Sequence, residues 1–223
     1  MKALVFDLDG TLVDTKYDML DAGNLVFESQ GWTARLKGFS GLQTAIQGGR
    51  AILRYGLKKE SIDFNDELLK DYYQLYLSCY DKVLDNKSSN YNGVEDTLSK
   101  LRSMGVKLGL CTNKPEKHAR ELLRRMGLIN YFHSSLIGSD TVGIAKPDPK
   151  PLLEAIYRLD KKPEDVFFVG DTNTDEDAAQ NANVDFIFCK YGHGSMYKLA
   201  KGESAAFEIA SFADLVSIYE DKT

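Results

Sequence analysis

Three short, largely apolar runs, each stopping at a polar residue able to do chemistry, constrain this chain more than any other feature. Ala3 to Phe6 is unbroken hydrocarbon and gives way to Asp7, Leu8, Asp9, Gly10 and Thr11. Residues 106–111 end in Thr112 and Asn113, and residues 166–169 end in Gly170 and Asp171. Runs of this length are too brief for core helices and read as strands buried on both faces. Asp7 and Asp9 project to the same side of an extended backbone, because side chains alternate along a strand. Gly10 lets the chain turn away with no Cβ in its path. Two acids at the end of a buried strand oppose folding unless something binds them or chemistry uses them.

From residue 93 onward, strand and helix alternate. Helical stripes run through Val94, Leu98 and Leu101, then Ala119, Leu122, Leu123 and Met126 behind Pro115. Further stripes run through Leu152, Ala155, Ile156 and Leu159 behind Asp148-Pro149, and through Ala178, Ala179 and Ala182. Residues 135–137 and 186–189 read as further strands and 212–219 as a closing helix. This rhythm predicts an α/β fold, a Rossmann-like parallel sheet covered by helices on both sides. Between residues 15 and 87 strand-like alternation is absent. Met19, Ala22 and Val26, then Ile52 and Leu53, then Leu69, Tyr72, Tyr73, Tyr76 and Tyr80 keep helical spacing. The expected organisation is a core of residues 1–15 and 88–223 with a helical insert of residues 16–87, the turn-rich stretch 87–93 being the return. Asp14 reads as a helix N-cap, the tyrosine face as the insert's own core, Arg50 and Arg54 as a solvated helix face, and Lys114 as surface.

With 223 residues and a net charge of -5, the chain buries an ample core and shows no basic face to counter phosphate backbones. That argues against non-specific nucleic-acid or acidic-membrane partners. Cys79, Cys111 and Cys189 are odd in number and lack ligand spacing, so they read as reduced, buried thiols. His118, His133 and His193 are too scattered for a zinc site. No signal peptide fits before a strand starting at residue 3, and no apolar run spans a bilayer, so a cytoplasmic protein is expected, working as a monomer or homodimer.

In open parallel sheets, ligands sit beyond the carboxyl ends of the strands. If the three strands are neighbours, Asp7, Asp9, Thr112, Asn113 and Asp171 converge. Asp175 falls one turn beyond Asp171, and Lys146, just before a helix start, supplies a cation. A phosphate monoester gives each a task. A carboxylate meeting a phosphate dianion is repelled by roughly 4 kcal/mol per charge pair at 4 Å in a protein-like dielectric. Mg2+ on the carboxylates, together with a lysine, offsets this. The Thr112 hydroxyl and Asn113 amide donate to phosphoryl oxygens. One aspartate attacks phosphorus while the second protonates the leaving alkoxide and later activates water. Asp9 then has to carry a proton at the first step, which calls for a site favouring its neutral acid.

The stretches DLDGTLVD (7–14), CTNKP (111–115), AKPDPKP (145–151) and VGDTNTDEDAA (169–179) resemble, in order and spacing, the four motifs of haloacid dehalogenase superfamily phosphatases. The branch is the one similar to phosphoglycolate phosphatase and β-phosphoglucomutase. The resemblance implies Asp7 as nucleophile and Asp9 as general acid and base. It implies phosphate on Thr112, Asn113, Lys146 and the turn at Gly10. It also implies Mg2+ on Asp7, the Asp9 backbone carbonyl and Asp171, with Asp175 supporting the metal site. The insert matches the family's helical cap, in which residues 39–49 are expected to select substrate. Ile46-Gln47-Gly48-Gly49 partly resembles the Gly-rich stretch of phosphoglycolate phosphatases. Departures from the pattern are Glu176 and Asn183, where relatives carry an aliphatic residue and Gly, and Asn92, where they carry Pro.

The function so implied is Mg2+-dependent hydrolysis of a small phosphorylated metabolite, phosphoglycolate-like or a sugar phosphate, through an aspartyl-phosphate. A phosphosugar mutase is the alternative. Mutases of this branch carry a histidine soon after the first motif, whereas Lys16-Tyr17-Asp18-Met19-Leu20 holds none. Dehalogenases lack the second acid, and a phosphonatase needs a Schiff-base lysine that no pattern singles out here. A non-catalytic relative that only binds would have lost one of the chemical residues, and none is missing.

Overall fold

A computed structural model describes residues 2–132, 135–196 and 202–222. His133 lies outside them. The chain divides into two compact units, one of Met1–Asp14 with Ser89–Thr223 and one of Thr15–Ser88.

The first unit is built on a six-stranded, all-parallel sheet. In chain order its strands are β1 (Ala3–Phe6), β4 (Leu108–Cys111), β5 (Leu136–Ile137), β6 (Val166–Gly170), β7 (Asp185–Cys189) and β8 (Phe207–Ile209). They lie in the spatial order β5-β4-β1-β6-β7-β8. Helices α5 (Val94–Ser103), α6 (Glu116–Arg125), α7 (Lys150–Arg158), α8 (Asn173–Asn181), α9 (His193–Met196) and α10 (Asp214–Lys222) complete the α/β layering. The central position of β1 explains its sequence. With strands on both edges and helices on both faces, all four residues are buried and none can be polar. Phe6 is in register with Leu110 of β4 and Val169 of β6. The residues just beyond these three strands therefore emerge side by side at one edge of the sheet. One face packs Ala3, Val5, Cys111, Phe168 and Phe186 against the apolar stripes of α7 and α8.

Two features of this unit differ from the sequence reading. The strand β8 is only three residues long and half exposed, which leaves no periodic signal to read. Val13–Asp14 (β2) and Ser89–Asn90 (β3) pair as a small antiparallel ribbon where the chain leaves and re-enters the unit. Asp14 is therefore not the helix N-cap. Its backbone is committed to Ser89, its side chain meets His193 Nε2 at 2.9 Å, and the N-cap position falls to Thr15.

The regular elements of the second unit are all helices, α1 (Lys16–Ser29), α2 (Gly38–Ala45), α3 (Gly49–Lys59) and α4 (Asp66–Tyr80). Val26, Phe27, Ile52, Leu53, Leu57 and Leu69 are fully buried, and the Phe27 and Trp32 rings stack at 5.7 Å. Tyr76 and Tyr80 are buried in this core, stacked in line with Tyr73, while Arg50 lies over the Tyr73 ring and Arg54 is exposed. The stretch 39–49 is mostly helix rather than loop, with Phe39 standing out to solvent. Buried Asp18 accepts from Lys87 N, Ser88 N and Ser88 Oγ, fastening the unit's two ends together. Among the described residues no helix is long and apolar enough to cross a membrane.

Candidate active site

Three adjacent strand ends deliver the acids. Asp7 follows β1, and its backbone N donates to Val169 O of β6. Asp171 follows β6, and Thr112 follows β4 with its N on Ile137 O. The carboxylates of Asp7, Asp171 and Asp175 are all buried, with oxygens within 4.8 Å of one another. Lys146 reaches into this cluster from the loop before α7. Its Nζ donates to Asp7 Oδ1 at 2.7 Å, to Asp175 Oδ1 at 2.6 Å and to the Cys111 carbonyl at 2.9 Å. Three donors meet three acceptors, so the ammonium is completely satisfied and fixed in place.

Each acid is held differently. Asp175 opens α8 as the third residue of a capping box with Thr172. Its Oδ2 accepts from Asp171 N, Thr172 N and Thr172 Oγ1, while Oδ1 takes Lys146. Four bonds fill a carboxylate's capacity, so Asp175 braces the cluster. Asp171 accepts from Thr11 Oγ1 and Gly194 N, both at 3.0 Å. The turn at Gly10 (φ 93°) and Gly192 both press against it, and a Cβ on either would overlap the Asp171 side chain.

Three carboxylates and one lysine leave an excess of buried negative charge. Burial pushes the Asp7 carboxyl up to about 7 despite the pull of Lys146, with Asp175 adding to the push. Burial, then Asp175 and Asp7, raise Asp171 well above the usual carboxylate range. Burial works against charge on Lys146, but Asp175 and Asp7 outweigh it and hold the ammonium protonated. A cluster short of positive charge, whose donors are carboxylate oxygens, fits a hard divalent cation. Asp7 and Asp171 would hold it, with Asp175 behind them.

The remaining expected residues separate. Thr112 is buried, and its Oγ1 accepts from Lys114 N. Asn113 is exposed, and its amide brackets the Lys146 backbone, accepting from Lys146 N at 2.9 Å and donating to Lys146 O at 3.0 Å. It positions Lys146. Asp9 is partly buried and faces Lys114, whose Nζ lies 3.0 Å from Asp9 Oδ2. Lys114 is therefore buried and paired, not surface. Sequence reasoning also missed Gly192 and Gly194, which cradle Asp171, and His193 on Asp14 between them. Thr11 was within reach, since it completes the DLDGT stretch. Cys111 is buried, its thiol pushed up to about 12 by desolvation, and unsuited to be a nucleophile. Of the departures, Asn183 adopts a left-handed φ of 54°, the conformation Gly would take. Glu176 accepts from Ser204 N and Oγ, which satisfies its burial.

The family model of haloacid dehalogenase-like hydrolases matches residues 1–183. The chain belongs to that family. It is 35% identical over 197 residues to a phosphoglycolate phosphatase of Nitrosospira multiformis, covering 86% of this chain and 85% of the relative. It is 32% identical over 217 residues to the phosphoglycolate phosphatase of Yersinia pseudotuberculosis, covering 97% and 92%. A crystal structure from Haemophilus somnus, described as a predicted phosphoglycolate phosphatase, superposes with a TM-score of 0.82 at 25% identity over 98% of both chains. This member of the family is an enzyme, a phosphatase acting on small phosphorylated metabolites.

Proposed function

We propose that this phosphatase hydrolyses a small phosphate monoester, phosphoglycolate or a compact sugar phosphate, through a phosphoryl group carried on Asp7, with Mg2+ as its metal. The observation behind this reading is the buried Asp7–Lys146–Asp175 chain beside Asp171. Asp7 is fixed by the Lys146 ammonium, so one carboxylate oxygen is oriented before substrate arrives. That oxygen bonds to phosphorus as the ester bond to the leaving oxygen breaks. Asp9 gives its proton to the leaving oxygen and later takes one from the water that releases phosphate. Lys146 and the Thr112 hydroxyl stabilise phosphoryl oxygens, and Asn113 keeps Lys146 in place. Bound by Asp7, the Asp9 carbonyl and Asp171, Mg2+ would neutralise charge on the transferring group. The unit of residues 15–88 serves as the cap, with the segment 39–49 selecting substrate.

The test is phosphate release from p-nitrophenyl phosphate, phosphoglycolate, sugar phosphates and nucleoside monophosphates, with and without chelator. Turnover on phosphoglycolate or a sugar phosphate that stops with chelator and is lost in Asp7→Asn is expected. Turnover that survives either treatment contradicts the reading.

A further inference from the structure

Beyond β7 the chain turns through residues 190–194 and lies hard against the loop that follows β1. Tyr191 Oη donates to Thr11 O at 2.9 Å. Gly192 packs so closely that a Cβ there would overlap both the Asp171 side chain and the Gly10 carbonyl. Gly194 N donates to Asp171 Oδ2, while Thr11 Oγ1 donates to Oδ1, each at 3.0 Å. These two bonds fix the plane of the Asp171 carboxylate and still leave each oxygen a lone pair for a cation. Between the two glycines His193 is buried, and its Nε2 donates to Asp14 Oδ1 at 2.9 Å. The Asp14 backbone is itself paired with Ser89 in the β2–β3 ribbon. A turn that would otherwise have a loop's freedom is therefore tied through one side-chain contact to a paired strand.

We infer that Asp14 and His193 are positioning residues for the metal site: their contact holds the turn at Gly192–Gly194 in place, so that Gly194 N keeps the Asp171 carboxylate aimed at the cation. The inference rests on the reading of Mg2+ on Asp7 and Asp171. Neither side chain belongs to the Asp7–Asp171–Asp175 cluster, so both act through the backbone of the turn. Groups that hydrogen-bond a metal ligand set its orientation, and losing one costs roughly ten- to a hundredfold in metal affinity. The donor here is a main-chain N–H that no substitution removes, which leaves the Asp14–His193 contact as the handle on it.

The experiment titrates Mg2+ calorimetrically into the chelator-stripped full chain and reads Kd for the wild type, His193→Phe, His193→Gln, Asp14→Ala and the double variant of Asp14→Ala with His193→Phe. His193→Phe keeps a ring beside Tyr91 but has no donor, whereas His193→Gln returns an N–H. His193→Phe and Asp14→Ala should each weaken Mg2+ binding by about tenfold, with His193→Gln restoring part of it. The double variant should bind no more weakly than either single one, because both break the same contact. Losses that add in the double variant overturn the inference. So does a lower Tm of metal-free His193→Phe with an unchanged Kd, since the pair would then serve the fold alone. A wild type that binds no Mg2+, or an Asp171→Asn variant that binds it equally well, overturns the metal reading and this inference with it. Wild-type binding that depends on Asp171 but not on His193 overturns the inference alone. Should His193→Phe fail to fold, Asp14→Ala, at a partly exposed position, is judged by the same Kd.

Discussion

Replacing Asp7 by Asn should make the metal-free protein more stable, by an amount that grows as pH rises from about 4 to about 7 and is full above that. In the folded chain the Asp7 carboxyl is pushed from 3.8 up to about 7, chiefly by burial. The folded state therefore holds this proton through a window, about pH 4 to 7, in which the unfolded chain has released it. Because the native state binds more protons there, the wild-type stability contributed by this group falls as pH rises across the window. Three units at about 1.4 kcal/mol each set an upper limit of about 4 kcal/mol at pH 8. Asn carries no charge to bury. Its Oδ1 can still accept from Lys146, and its NH2 would face acidic neighbours that accept hydrogen bonds. For a chain of this size, the gain corresponds to a rise in Tm of up to roughly 10 °C at pH 8, shrinking toward nothing near pH 4. Thermal unfolding of both proteins in chelator across pH 4–8 measures it. An Asn variant no more stable at pH 8, or equally stabilised at every pH, would refute the electrostatic account of the site.

Other perturbations follow from the same geometry. Lys146→Met strips the ammonium from two buried carboxylates, so a loss of about 3–5 kcal/mol at pH 8 is expected by denaturant unfolding, together with loss of phosphatase activity. Asn113→Ala removes two hydrogen bonds to the Lys146 backbone and should cost about 1–2 kcal/mol, with steady-state kinetics showing a larger effect on kcat than on KM. The Cys111 thiol, fully buried and pushed up to about 12, should resist a thiol reagent at pH 8 in the native protein and react once unfolded.

Much of this arrangement is legible along the chain because strand ends are local. The apolar run Ala3–Phe6, its abrupt stop at Asp7 and the matching stops at Thr112 and Asp171 define a sheet edge without reference to distant contacts. What escapes the sequence depends on pairings between remote residues or on backbone detail. Asp14 looks like a cap because its neighbours are helical, yet His193, 179 residues away, takes its side chain. Lys114 looks like surface because lysine is usually solvated, and its burial comes from a turn clamped by Thr112 and Ser139. Asn113 has a free amide in sequence terms, but the neighbouring loop brings the Lys146 peptide against it.

The central claim is that Asp7 carries the phosphoryl group. Acid quenching of the enzyme during turnover with Mg2+, followed by peptide mass spectrometry, tests it most directly. A single added phosphoryl group on the peptide containing Asp7, absent from Asp7→Asn, is the predicted result. Phosphate release that proceeds with no phosphorylated peptide, or with the group on another residue, would contradict it.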